Sequence, residues 1–218
     1  MKKRLQAEKE KIQEMETKQA AEYIWTYYKI PIVGILVFLF LLVYFIHAFL
    51  NRPEDTLLHI TFINCYDDVS ETSGFYKEFE TYAAFQEKGT ITFDANAFFN
   101  LENQKDYSNT YFQKTVAYLE AGTTDALVCQ KANLMGIAKG KRVLNLKDAL
   151  AKEIYQKYQD RLVYYTTEEG EEIPVGVDIS DSPLIRNMNS YKDGCYLCVS
   201  AYTNRVERVK MFLDYLLT

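Results

Sequence analysis

Leu57-Leu58-His59-Ile60-Thr61-Phe62-Ile63-Asn64-Cys65 is the stretch that decides the fold. It is a short, nearly unbroken apolar run, with Pro53 before it and the acidic pair Asp67-Asp68 after it. A run of that length, rich in β-branched and aromatic residues and without alternation, reads as a strand buried on both faces, as in parallel sheets covered by helices. Downstream the pattern alternates. Thr72 to Lys88 reads as a helix with Phe75, Phe79, Tyr82 and Ala83 on one side and Gly89 as its stop. Thr90 to Ala95 follows as a strand, with Ile91 and Phe93 on one face. Asp106 to Ala121 is a second helix through Phe112, Val116 and Leu119, closed by Gly122, and Asp125 to Cys129 is a third strand. This β-α-β-α-β order implies parallel strands joined by right-handed crossovers.

The remainder continues with a short helical piece around Leu134 to Ile137 and a longer helix over Leu144 to Tyr158. Leu162 to Thr167 and Glu172 to Ile179 are two strands about a turn at Glu169-Gly170. Gly194 to Ala201 is a further strand. Arg205 to Leu217 closes the chain as an amphipathic helix, with Val206, Val209, Phe212, Leu213 and Leu216 facing the core. The fold class expected is a mixed, mostly parallel, three-layer α/β domain over residues 56–218.

Upstream lies Ile30 to Leu50, IPIVGILVFLFLLVYFIHAFL, where His47 is the sole strongly polar residue. About 20 apolar residues suffice for a helix to cross a hydrocarbon layer of roughly 30 Å. Pro31 falls in the first turn, where a missing N–H costs little. A cleaved leader would have a shorter apolar core and a small-x-small cleavage site. His47-Ala48-Phe49-Leu50-Asn51 offers none, so the run is expected to be a permanent anchor. Residues 1–29 read as a basic, solvated cytoplasmic helix and residues 51–55 as a linker. Tyr23-Ile24-Trp25-Thr26-Tyr27-Tyr28-Lys29 forms an aromatic belt with a snorkelling lysine.

Charge sets the orientation. Lys2, Lys3, Arg4, Lys9, Lys11, Lys18 and Lys29 precede the span, whereas Arg52 alone follows closely, beside Glu54 and Asp55. The basic side stays in the cytoplasm, which puts the C-terminal domain outside the cell. The chain carries −5 overall; the first 29 residues hold seven bases against five glutamates, a balance of +2, which leaves −7 beyond them. An acidic outer domain argues against nucleic acid as a partner. Eighteen Tyr and thirteen Phe in the chain argue against disorder in the domain.

Little in the chain points to catalysis. Cys195-Tyr196-Leu197-Cys198 lies in a strand-like stretch, where residues three apart span about 10 Å and face opposite ways, so packed thiols are expected rather than a redox or zinc motif. Cys65 and Cys129 both end strands that a 2-1-3 order makes neighbours, and contact between them is expected, with a bridge if the exterior oxidises it. His47 and His59 sit among apolar residues. Neither a nucleophile elbow nor a phosphate-cradling glycine loop is present, and the Glu168 to Glu172 run lacks calcium-loop spacing. No cofactor and no metal site is expected.

Three stretches carry a resemblance to the first lobe of the extracytoplasmic solute-binding proteins of ABC importers. Tyr118 to Val128, YLEAGTTDALV, is similar to that family's helix, glycine turn and Asp-then-strand step. Gly136 to Leu146, GIAKGKRVLNL, resembles the passage that follows it. Glu171 to Val177, EEIPVGV, is similar to its returning strand, and the last helix to its lobe-closing helix. The resemblance implies ligand or partner recognition, but the family has two lobes and the length here holds one. The belt, span and small outer domain together resemble single-pass envelope proteins of Gram-positive bacteria.

In open α/β sheets, ligands lie beyond the carboxyl ends of the strands. Those ends carry Asn64, Tyr66, Asp67 and Asp68, then Asn96 and Asn100, then Gln130 and Asn133. This mix suits a small polar ligand or an envelope or transporter protein as partner, with the lipid bilayer holding the anchor. Asp67, Asn100 and Gln130 are expected to be replaceable with little loss of stability. The rival reading is a non-catalytic structural or assembly subunit of a membrane complex.

Overall fold

A computed structural model describes residues 16–50, 55–102 and 107–218. The first five bases, the sparse Leu5, Ile12 and Met15 stripe, most of the linker with Pro53, and the expected helix start at Asp106 lie outside the described residues. The chain divides into two units, Met1–Pro53 and Glu54–Thr218.

The described residues of the first unit form one helix, α1 (Thr17–Leu50), with Pro31 inside it. Residues Thr17–His47 form a helix long and apolar enough to span a membrane, and none of the most apolar window is buried within the protein. Trp25, the only tryptophan in the chain, is 63 % exposed on it.

The second unit is an α/β domain built on one six-stranded sheet in the order β2-β1-β3-β6-β5-β4. Its strands are β1 (Thr56–Ile63), β2 (Thr90–Ala97), β3 (Ala126–Cys129), β4 (Leu162–Thr166), β5 (Glu172–Asp178) and β6 (Tyr196–Val199). Its helices are α2 (Gly74–Ala83), α3 (Thr110–Glu120), α4 (Lys131–Lys139), α5 (Lys152–Lys157), α6 (Pro183–Arg186) and α7 (Val206–Leu216). The alternating first half gives the expected parallel run β2-β1-β3. The second half differs, because β6 pairs antiparallel with both β3 and β5, and β4 antiparallel with β5. The sheet is therefore mixed rather than mostly parallel. The short hairpin at Gly170 (φ 84°) leaves β4 and β5 no crossover, so they can pair only antiparallel.

Burial on both faces explains the continuous apolar character of β1. Leu58, Ile60 and Phe62 enter one core with Phe79, Phe93 and Phe212, and Ile63 enters the other with Phe112, Leu119 and Leu134. In the first core the ring of Phe62 meets Phe75, Phe93 and Phe212 edge-on, at centroid distances of 5.9, 5.6 and 6.3 Å. The five residues expected on the core face of α7 are all buried.

Two expected boundaries move. The helix from Thr72 is shorter at both ends. Ser73 caps it by accepting the N–H of Tyr76, and Ala84 at φ 43° ends it. Gly89 serves packing instead, since a Cβ there would lie 2.3 Å from the carbonyl oxygen of Asp55. The long helix expected over 144–158 is a strand-like passage followed by short turns. Val143 bridges Ser200, and the N–H groups of Leu144 and Leu146 donate to the carbonyls of Val199 and Pro174. Helix is confined there to α5, preceded by a 3-10 turn at Ala149–Ala151.

The cysteines also divide between the two cores. Cys65 and Cys195 lie in the first and Cys129 and Cys198 in the second, all four free. The expected neighbouring of β1 and β3 holds. Cys65, however, lies two residues past the end of β1, after Asn64 at φ 56°, and its thiol donates to the Asp67 carbonyl. With all four thiols free, Cys65 and Cys129 form no bridge.

Candidate functional site

The parallel run directs the ends of β1, β2 and β3 to one rim of the domain, and three amide side chains meet there. Asn64 takes a left-handed conformation that asparagine tolerates better than most residues. Its side chain pairs with the backbone of Phe99 as a strand would, Nδ2 donating to the carbonyl at 2.8 Å and Oδ1 accepting the N–H at 3.0 Å. Asn133, fully buried on α4, donates to the same carbonyl at 3.1 Å and accepts the N–H of Leu101 at 2.9 Å. Gln130 Oε1 accepts from Asn64 at 3.2 Å and from Asn133 at 3.3 Å, while its Nε2 donates to the Ser190 carbonyl at 3.5 Å.

Ser190 extends the network to the loop after β1. Its hydroxyl accepts the Tyr66 N–H at 2.7 Å and donates to Asp67 Oδ2. The N–H groups of Asn189 and Ser190 donate to the same carboxylate, at 3.1 and 3.0 Å. Burial works against the Asp67 carboxylate, but the Ser190 hydroxyl and these two amides outweigh it and hold the pKa below its usual value. Asp68 is exposed and accepts the N–H of Ser70, and its bonds with Ser70 likewise keep its carboxyl low. Asn96 donates twice to Asp94, and Asn100 accepts the N–H of Glu102.

These bonds change the meaning of the expected site. Asn64, Gln130 and Asn133 do converge, and Asp67 joins them through Ser190. Their polar groups bind one another and the backbone, bracing the segment 98–101 and the loop 64–68. Asp67 and Gln130 are thus structural ties, and the expectation that they can be replaced cheaply is revised. Upon the braced rim stand aromatic rings: Tyr66, 81 % exposed, packs against Phe98 at 5.2 Å, and Phe98 meets Tyr111 edge-on at 5.9 Å. Sequence reasoning missed Phe98, Tyr111 and Ser190. Phe98-Phe99 carried a usable signal, because adjacent strand-end residues face opposite ways and only one of the two can be buried. Ser190 carried none, being 60 residues from Gln130 and more than a hundred from Tyr66 and Asp67.

A second polar cluster lies on the α3 side of β1, toward the opposite end of the strands. Asp125 is wholly buried and accepts both Arg205 Nε (2.9 and 3.0 Å) and the Thr203 hydroxyl, and it also takes the backbone N–H of His59. Removing one member of such a buried pair costs about 3–5 kcal/mol, because the other charge is stranded. The His59 side chain meets Tyr118 edge-on, and its Nε2 has no hydrogen-bond partner among the described residues. Burial lowers its pKa, against the opposing pull of Asp94 and Asp125, which keeps the imidazole neutral. Among the described residues no three His, Cys, Asp or Glu side chains gather as metal ligands. A cleft of about 410 Å³ opens between Leu57, Tyr76, Phe85 and Ile91, at the amino-terminal ends of β1 and β2, away from the rim.

Comparison with protein-family models, with curated proteins and with solved structures finds no match to this chain.

Proposed function

We propose that the chain is a single-pass membrane protein whose outer α/β domain, similar to one lobe of a solute-binding protein, recognises an envelope or transporter protein through its strand-end rim. The observation that carries this reading is the Tyr66–Phe98–Tyr111 row, its two tyrosines exposed about a half-buried Phe98, standing on a loop system fixed by Asn64, Gln130, Asn133 and Asp67. Rigid, exposed aromatics lose little entropy on binding, and they dominate the energetics of protein interfaces. A small polar ligand would need unspent polar groups, and the amides here are engaged with one another. The parallel β2-β1-β3 run with its returning antiparallel strand agrees with the lobe reading, and the basic residues before α1 support the outward orientation.

The test places a photo-crosslinking amino acid at position 66 of the full chain in native membranes, with position 202, also an exposed tyrosine, as a control. One discrete protein adduct from position 66, absent from position 202 and lost with Phe98→Ala, is expected. Phe98→Ala should weaken the isolated pair by about tenfold or more, as truncation of an interface anchor does. Absence of an adduct would overturn the reading, as would co-migration with a membrane complex that depends on residues 17–50 alone. Tight stabilisation of the purified chain by a small metabolite would do so as well.

A further inference from the structure

The two edges of the sheet are treated differently. β2, at one end, is blunted: the pairing with β1 slips between Thr61↔Asp94 and Ile63↔Ala97, placing an extra residue on β2, and the Asp94 carboxylate folds back onto Asn96. Bulges and charges of this kind stop an edge from recruiting another strand. β4, at the other end, has neither. Its residues, Leu-Val-Tyr-Tyr-Thr, include no charge, no Gly and no Pro. It pairs only with β5, and the one slip in that ladder belongs to β5, since Val163↔Gly176 is followed by Tyr164↔Pro174. Tyr164 is 43 % exposed and Thr166 is exposed. The outer side of β4 therefore presents a row of backbone donors and acceptors suited to one more strand.

The charges at its two ends select the strand. At the hairpin end stand Glu168, Glu169, Glu171 and Glu172, all exposed. At the other end stand Asp160, Asp178 and Asp181, with Arg161 already ion-paired to Asp181. Nearby lysines are partly engaged: Lys157 with Asp214, and Lys139 and Lys141 lining a cleft with Glu168 and Glu169. A second copy of β4 fits poorly. Antiparallel self-pairing centred on Tyr164 would bring Asp160 of one chain against Glu168 of the other, and parallel pairing would set the glutamate turns side by side.

We infer that β4 takes up an extended segment of a partner protein, with an apolar, β-branched centre and lysine or arginine at both ends. This surface is separate from the aromatic rim and does not depend on it. The probe is a nine-residue blocked peptide with alternating Val and Thr between paired lysines, compared with the same core between paired glutamates. Both are offered to the full chain in lipid nanodiscs. The basic peptide should bind about tenfold more tightly than the acidic one and slow amide exchange at residues 162–166, the advantage shrinking with salt. Tyr164→Lys should weaken it by about fivefold or more, while Tyr164→Glu should not, with the melting temperature of both variants near that of the parent. Equal binding of the two peptides, or protection confined to other strands, would overturn the inference. So would self-association of the chain that Tyr164→Lys abolishes.

Discussion

The carboxylate of Asp67 gathers two backbone amides and a hydroxyl from a turn 122 and 123 residues further along the chain. An acceptor used in this way is a tie between loops, and its cost of removal can be anticipated. Asp67→Asn keeps the shape but loses the charge that strengthens those bonds, a loss of about 1–2 kcal/mol. For a domain of this size that is roughly 2–8 °C in melting temperature. The pH dependence has a definite sign. A carboxyl whose folded pKa is depressed adds stability above its unfolded pKa, about 3.9, and that stability is lost as pH falls through the lower folded value. Thermal melts of the two proteins should therefore differ at neutral pH and draw together below about pH 4. A gap that persists unchanged into strong acid would show that Asp67 acts by shape alone. The eight residues at the strand ends could be picked out from the sequence because the open-sheet rule names positions. That Asn64, Gln130 and Asn133 would bind one another and the backbone, and Asp67 the turn at Ser190, could not, since it depends on Phe99, Leu101 and Ser190 arriving from distant segments.

Strands were the legible elements. β1 announced itself by composition, and β4 and β5 by their glycine turn. Helix boundaries were less so, for two identifiable reasons. Over 144–158, Leu144 and Leu146 are two apart, a strand spacing that lies next to the genuinely helical Ile154 and was absorbed into it. At Gly89 the residue type was right for a helix stop, but its use is different, since the helix already ends at Ala83 and the glycine admits the Asp55 carbonyl. Gly89→Ala puts a methyl group 2.3 Å from that oxygen and 2.7 Å from Leu57 Cγ. The strand start must then shift, at about 1–3 kcal/mol, the usual cost of overpacking. Denaturant unfolding should show that drop, whereas Gly74→Ala, with open space at its Cβ, should show almost none. Equal effects at the two glycines would contradict the packing role.

At the scale of the molecule, the composition of the first fifty residues made a long apolar helix legible, and the alternation after them made the α/β class plain. The antiparallel half of the sheet was hidden, because a strand's direction is set by which neighbours it finds and not by its own residues. Topology in the membrane is open to direct test. Under the proposed orientation, protease added to intact cells should remove epitopes placed beyond Asn51 and spare those placed before Lys29, as expected from the asymmetry of basic residues. The reverse pattern would turn the domain toward the cytoplasm and remove the basis for an envelope partner.

Trp25 stands alone in a chain of eighteen tyrosines, and it lies on the first unit, not the α/β unit. The indole chromophore thus belongs to one unit alone. Indole fluorescence, excited selectively, reports the polarity around the long apolar helix and carries no indole signal from the domain. Loss of near-ultraviolet dichroism from the crowded Phe62, Phe75, Phe79, Phe93 and Phe212 rings follows melting of the domain core, over a background from rings of the first unit such as Tyr23, Tyr27, Tyr44 and Phe45. Insertion of the one and melting of the other can be followed optically in a single sample, without a label.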